Sequence, residues 1–117
     1  MYQAHCYIDS DASGQYTASY DVNHVTPTIG IERMAPFLAW LKAKHAWGMI
    51  GEFGVPKNAP RYNVALENML QYMQNNGLSG TYWHGGVWSG GDPLSCEPGS
   101  SYTVDAPQMA ILQQFTQ

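Results

Sequence analysis

An α/β fold built on a parallel sheet is predicted by three observations. Strand-like runs alternate with helical stretches, the apolar residues of those stretches recur at i, i+3, i+4 and i+7, and Gly or Pro punctuates the junctions. The 117 residues are enough for one small domain, so positions 1–117 are expected to form a single unit.

The first strand is expected over Gln3-Ala-His-Cys-Tyr-Ile8, followed by the polar loop Asp9–Gly14. A long loop rich in Tyr, Thr and Asn leads to a helix near Ile31–Lys44, where Met34, Phe37, Leu38 and Leu41 form one apolar face. Pro36 lacks an N–H and is tolerated in a first turn, which predicts a start close to Met34. The second strand is Gly48–Phe53, an apolar run that ends in Gly and Pro. Its helix, about Tyr62–Asn75, carries Leu66, Met69, Leu70 and Met73 at helical spacing, and Asn76-Gly77 is a plausible stop. The third strand is Gly80-Thr-Tyr-Trp83, followed by the glycine-rich loop His84–Gly91. A last helix is expected to start near Asp105 as N-cap, with Pro107 in its first turn, burying Met109, Ile111, Leu112 and Phe115 in some combination.

Right-handed crossovers would place these helices on one face of the sheet, and a parallel sheet needs both faces covered. By period-two alternation the other face carries His5, Tyr7, Ile50, Glu52, Thr81 and Trp83. The chain therefore reads as a segment of something larger or as a self-associating partial barrel.

Composition narrows the function. Charged residues make up 12% and aromatics 13%, with a net charge of −4, which suits neutral ring-shaped ligands better than nucleic acid. No apolar run approaches the ~18 residues of a membrane helix. Met1 leads directly into a strand-like segment, so no signal peptide is read at the start. Cys6 and Cys96 match no metal-ligand or CxxC spacing, and a disulfide between them cannot be read from the sequence. His5, His24 and Glu52 likewise have no ligand spacing, so neither metal nor cofactor is expected.

Four residues then stand out at or near strand ends. Glu52 closes an apolar strand where barrel enzymes keep their chemistry. His5 and Tyr7, two apart, present an imidazole and a phenol on one face, and Trp83 offers a flat surface on which a sugar ring can stack. Together they describe one wall of a carbohydrate cleft. Each also has a plainer reading: a structural carboxylate, an ordinary strand pair, a layer aromatic.

The pieces Ala4-His-Cys-Tyr-Ile-Asp-Ser-Asp11, Pro36-Phe-Leu-Ala-Trp-Leu41, Ile50-Gly-Glu-Phe-Gly-Val-Pro56, Gly80-Thr-Tyr-Trp83 and Pro107-Gln-Met-Ala110 resemble the C-terminal part of glycoside hydrolase family 5 cellulases. The resemblance runs in register along nearly the whole chain. It implies a partial TIM (β/α)8 barrel of about three C-terminal βα units (β6–α8 equivalent), completed by self-association or by an N-terminal part. It also implies retaining endo-hydrolysis of β-1,4-glucosidic linkages in cellulose or a related β-glucan by a secreted enzyme. Glu52 matches the family nucleophile on the seventh strand, His5 and Tyr7 the His-x-Tyr pair on the sixth, and Trp83 the stacking Trp on the eighth. Trp88 and His84, in the loop, would extend a binding subsite.

One departure is large. The family's Asn-Glu pair after the fourth strand, which holds the acid/base, has no counterpart, and neither have its Arg and its other His. Retaining hydrolysis uses two carboxyl groups about 5–5.5 Å apart, so the acid/base is missing here or supplied in trans. Asp9 and Asp11 follow the first strand on the active-face side, where family loops look alike without being catalytic. The alternative reading is a carbohydrate-binding remnant or an inactive fragment of a cellulase.

Overall fold

The computed structural model describes residues 1–89 and 91–116. The elements alternate as β1 (Tyr2–His5), α1 (Ile29–Ala43), β2 (Gly48–Phe53), α2 (Tyr62–Asn75), β3 (Ser79–Tyr82) and α3 (Met109–Leu112). The strands form one parallel sheet in the order β1-β2-β3, as the alternation requires. Pairing continues past the strand ends, where Cys6 N–H donates to Glu52 O (2.8 Å) and Trp83 N–H to Phe53 O (2.7 Å).

The core lies between the sheet and the pair α1 and α2. Met34, Leu38 and Leu41 of α1 join Ala65, Leu66, Met69, Leu70 and Met73 of α2 in one buried cluster with Ile50 and Phe53. Gly30 sets how closely the two helices approach, since a Cβ there would lie 2.1 Å from Met69 Cγ. Helix α2 ends as its sequence foretells. Gly77 takes φ +65°, its N–H donates to Gln74 O (3.2 Å), and Leu78 N–H donates to Met73 O (2.9 Å). Helix α1 closes with the same pair of bonds, His45 to Lys42 and Ala46 to Leu41, with His45 in the left-handed position that glycine more often fills.

Helix α1 begins at Ile29, not near Met34, and runs through Pro36. An interior proline costs roughly 3 kcal/mol. Here it sits on the exposed side, while the buried stripe Gly30, Met34, Leu38, Leu41 packs on both sides of it and holds the helix together. Asp105 is not an N-cap. The chain first turns through Pro107 and Gln108, whose buried side chain donates Nε2 to Val55 O (3.1 Å), and the short α3 starts beyond it. Strand β1 is shorter than expected, ending at His5.

The most consequential difference concerns Ile50. Simple alternation puts it beside Glu52 on the open face, yet Ile50 is fully buried in the core. The register explains why. Ala4 pairs with Ile50 but His5 with Glu52, and Gly80 pairs with Ile50 but Tyr82 with Phe53, so β2 carries one residue more than both neighbours. This bulge at Gly51–Glu52 resets the alternation. Ile50 stays on the helix side with Gly48 and Gly80, whose missing Cβ atoms would point at Leu41 and Met73 respectively. Glu52 is turned to the open side.

Candidate active site

The open side of the sheet gathers His5, Tyr7, Glu52 and Trp83 around one cavity of about 490 Å³, whose lining also includes Asp92 and Pro93. All lie at or beyond the C-terminal ends of parallel strands, the end at which barrel folds build their sites. The bulge aims Glu52. Backbone continuity through Cys6, with Cys6 on the helix side within reach of Gly30 O, places His5 and Tyr7 on the same face as one another.

Two side chains converge on one carboxylate oxygen. The Tyr7 hydroxyl donates to Glu52 Oε2 at 2.7 Å, and His5 Nδ1 lies 3.3 Å from the same atom. Burial and then the bond to Glu52 push the Tyr7 phenol well above its ordinary value, so it remains a donor throughout the neutral range. Glu52 is partly exposed to the cavity, which leaves its other oxygen, Oε1, available to a ligand. A hydrogen-bonded carboxylate with one oxygen aimed and one free is suited to nucleophilic attack.

Residues outside the constellation keep it in place. The Tyr16 hydroxyl joins the two strand ends, accepting from Ile8 N–H (3.1 Å) and donating to Gly54 O (2.6 Å). Arg33, reaching from α1, donates to the carbonyls of Tyr7 (2.5 Å) and Asp9 (2.7 Å). The Tyr82 hydroxyl on β3 accepts from Val55 N–H (3.3 Å) and shares its one proton between Val55 O and Leu94 O, both at 3.0 Å. Gly54 allows Trp83 to come close, because a Cβ there would meet Trp83 O at 2.2 Å. None of these four stands out in the sequence as a site residue. Tyr16 and Tyr82 are hard to tell from other tyrosines of an aromatic-rich chain, whereas Gly54, two residues after the carboxylate, is visible in the sequence as the Gly that ends the second strand.

The remaining candidates separate. Asp9 is buried, and its oxygens accept from Ser13 Oγ (3.0 Å), Gly14 N–H (3.1 Å) and Tyr16 N–H (3.2 Å), so it folds the loop after β1. Trp83 is half-exposed on the cavity, while Trp88 stands almost fully out of the loop and does not line it. Cys6 and Cys96 are both free, and burial pushes the Cys6 thiol up to about 11. Among the described residues no group of three or more His, Cys, Asp or Glu is arranged to hold a metal ion.

A family profile described as cellulase (glycosyl hydrolase family 5) matches residues 1–88. The chain belongs to this family. Among curated relatives it is 35% identical to Endoglucanase 3 of Humicola insolens over 108 residues, covering 88% of this chain and 26% of that protein. It is 34% identical to Endo-beta-1,4-glucanase A of Emericella nidulans, covering 86% of this chain and 30% of that protein. In solved structures it is similar to Pseudomonas stutzeri endoglucanase Cel5A in complex with cellobiose, with a TM-score of 0.89 and 36% identity over 98% of this chain and 34% of that one. XacCel5A in complex with cellopentaose gives a TM-score of 0.84 at 36% identity, over 97% of this chain and 36% of that one. This family 5 chain thus spans about a quarter to a third of the length of the relatives it matches. No helix among its described residues is long and apolar enough to cross a membrane.

Proposed function

We propose that this chain forms one wall of a secreted endo-β-1,4-glucanase cleft, with Glu52 as the nucleophile of retaining hydrolysis. The observation that carries this reading is the convergence of Tyr7 and His5 on Glu52 Oε2 at the strand ends, beside Trp83. Tyr7 and His5 orient the carboxylate and the substrate, Trp83 stacks against a glucosyl ring, and Trp88 touches the polymer further out. The substrate is cellulose or a related β-glucan. In attack, a Glu52 oxygen bonds to the anomeric carbon while that carbon's bond to the leaving oxygen breaks; the leaving oxygen takes the electron pair and requires a proton. The donor of that proton comes from outside the chain, from an N-terminal barrel part or from a second copy that covers the open face. The chain then corresponds to the sixth through eighth βα units of the barrel.

The test separates attack from protonation. A dinitrophenyl glycoside of deoxyfluoro-cellobiose carries a leaving group that departs without a proton, and its fluorine slows breakdown of the glycosyl–enzyme. The chain should release dinitrophenolate once and gain the mass of the sugar on Glu52, while Glu52→Gln should gain nothing. Folded chain that binds cello-oligosaccharides yet forms no adduct would leave only a carbohydrate-binding role. Reducing-sugar release from carboxymethylcellulose, compared between wild type and Glu52→Gln, then reads whether an acid/base has joined the assembly.

A further inference from the structure

Asp92 is the other carboxylate on the wall of the cavity that holds Glu52. It belongs to no strand. It lies in the long connection after β3, where three hydrogen bonds and an ion-pair contact fix it. Its Oδ1 accepts from Leu94 N–H at 2.8 Å, its own N–H donates to Ser89 O at 2.9 Å, and its carbonyl accepts from Ser95 N–H at 3.1 Å. Its Oδ2 lies 3.4 Å from His84 Nε2, and His84 Nδ1 lies 3.1 Å from the hydroxyl of Ser89, which is buried. One tautomer of His84 suits both neighbours: with the proton on Nε2 the ring turns its N–H side toward Asp92, and Nδ1 accepts from Ser89. The ring is held in turn through its backbone, where Cys96 N–H donates to His84 O at 2.9 Å.

The turn at Leu94 accounts for Oδ1 alone. It does not account for a second oxygen braced by a histidine and a buried serine at the edge of an open cavity. With these bonds made, the Asp92 side chain is still 41% exposed. A carboxylate has about four acceptor positions; Leu94 N–H takes one of them, and His84 Nε2 stands beside a second. Its charge is also among those that raise the Tyr7 phenol, which places it within electrostatic reach of the Glu52 cluster. Leu94 N–H donates to it, and in the Nε2–H tautomer His84 also turns a proton toward it, so the group is arranged to accept hydrogen bonds.

A glucosyl ring has two apolar faces and a rim of hydroxyls. A site that takes the face on an aromatic plane must also satisfy the rim, because a buried hydroxyl left without a partner costs free energy. Trp83 supplies the plane and connects directly to His84, which braces Asp92. We propose that Asp92, held by His84 and Ser89, is a sugar-binding and specificity-determining residue that accepts hydrogen bonds from rim hydroxyls of the glucosyl unit stacked on Trp83. This rests on the β-glucan reading above.

Calorimetric titration of the full chain with cellotriose tests it, with Asp92→Asn and Trp83→Ala beside wild type. The amide keeps an acceptor for Leu94 N–H and nearly the same volume but replaces Oδ2 by a donor, which His84 meets by carrying its proton on Nδ1, toward Ser89 Oγ, and leaving Nε2 as an acceptor. Asp92→Asn should bind about tenfold more weakly, the scale of one hydrogen bond to a charged group, with an unchanged melting temperature. In a set of monodeoxy cellobiosides, at least one should bind wild type about tenfold worse than cellobiose and be discriminated no further by Asp92→Asn. Equal cellotriose binding by Asp92→Asn and wild type, with binding lost in Trp83→Ala, would overturn the inference and leave the glucan reading standing. A lowered melting temperature that accounts for the loss would assign Asp92 to the loop turn and also overturn it. Absence of cellotriose binding by folded wild type would instead remove the glucan reading itself.

Discussion

At the strand ends, Tyr7 is 7% exposed and its hydroxyl meets a carboxylate whose direction is set by a bulge in the sheet. In the loop after β3, Trp88 is 96% exposed, and what order the loop has comes from short-range bonds within it, made by backbone and side chains alike. Glu97 accepts from Gly86 N–H, His84 bridges Ser89 and Asp92, and Asp92 turns back on Leu94. The first region inherits its geometry from hydrogen-bonded strands and a packed core, so its atoms are positioned by many cooperating terms. The second carries its own geometry in a few bonds. Chemistry that needs a carboxylate aimed to within tenths of an ångström belongs on the first, and contact with a long ligand can be left to the second.

Substitutions can break that division at its strongest point first. Glu52→Gln should lower covalent labelling by the fluorinated cellobioside by about a thousandfold or more, because no other oxygen nucleophile is aimed by two partners at that point. Stability should be nearly untouched, as read by melting temperature. Gly54→Ala attacks the seam between the two regions. Its methyl group would meet a backbone carbonyl, Trp83 O, which cannot rotate away as a side chain would. A loss of about 1–3 kcal/mol of stability is expected from this overpacking, together with weaker cello-oligosaccharide binding. Retained stability and affinity would show the seam to be looser than its packing implies.

Tyr7→Phe keeps the ring and removes one hydrogen bond to a charged group. Labelling at Glu52 should slow about tenfold with little change in melting temperature. The wall also has an alkaline signature. Burial is the largest cause raising Tyr7, Tyr16 and Tyr82, the last to about 12. Their folded values exceed the unfolded value near 10, so the stability they contribute is whole below about pH 10 and is lost as pH rises through the folded values. Urea midpoints should fall with pH above 10 as the unfolding free energy drops by about 1.4 kcal/mol per pH unit for each tyrosine titrating only in the unfolded chain. Tyr82→Phe should start lower, having lost its bonds to Val55 and Leu94, and then fall less steeply up to about pH 12.

The parallel order and the second helix were legible because their signals are local and repetitive: three strand-like runs, and apolar residues at helical spacing up to Asn76-Gly77. Of the site, His5, Tyr7, Glu52 and Trp83 were legible and do share one cavity. Ile50 was misplaced because strict alternation ignores bulges. Gly51, beside the one charged residue of the strand, is the local mark of an added residue. Pro36 misled for the opposite reason: a local rule was applied where packing on both sides of the proline outweighs it. Asp92 and its brace were invisible for a third reason. His84, Ser89 and Asp92 are ordinary loop residues until the chain folds back on itself, and no periodic pattern reports that.

The smallest effect separates the regions most finely. Trp88 makes so little contact with the fold that Trp88→Ala should change stability by no more than about 0.5 kcal/mol. If the loop serves long ligands, the loss should depend on ligand length. Cellobiose, too short under the proposed reading to extend from Trp83 to Trp88, should bind the variant and wild type alike, whereas cellopentaose should bind the variant a few-fold more weakly, one exposed stacking contact being worth about 1 kcal/mol. Calorimetry across the series from cellobiose to cellopentaose reads this directly. A loss independent of length would place Trp88 within the same binding unit as the strand ends, with the loop folded over the cavity when sugar is bound. No loss at any length would leave Trp88 without a part in glucan binding and confine recognition to the wall built by the sheet.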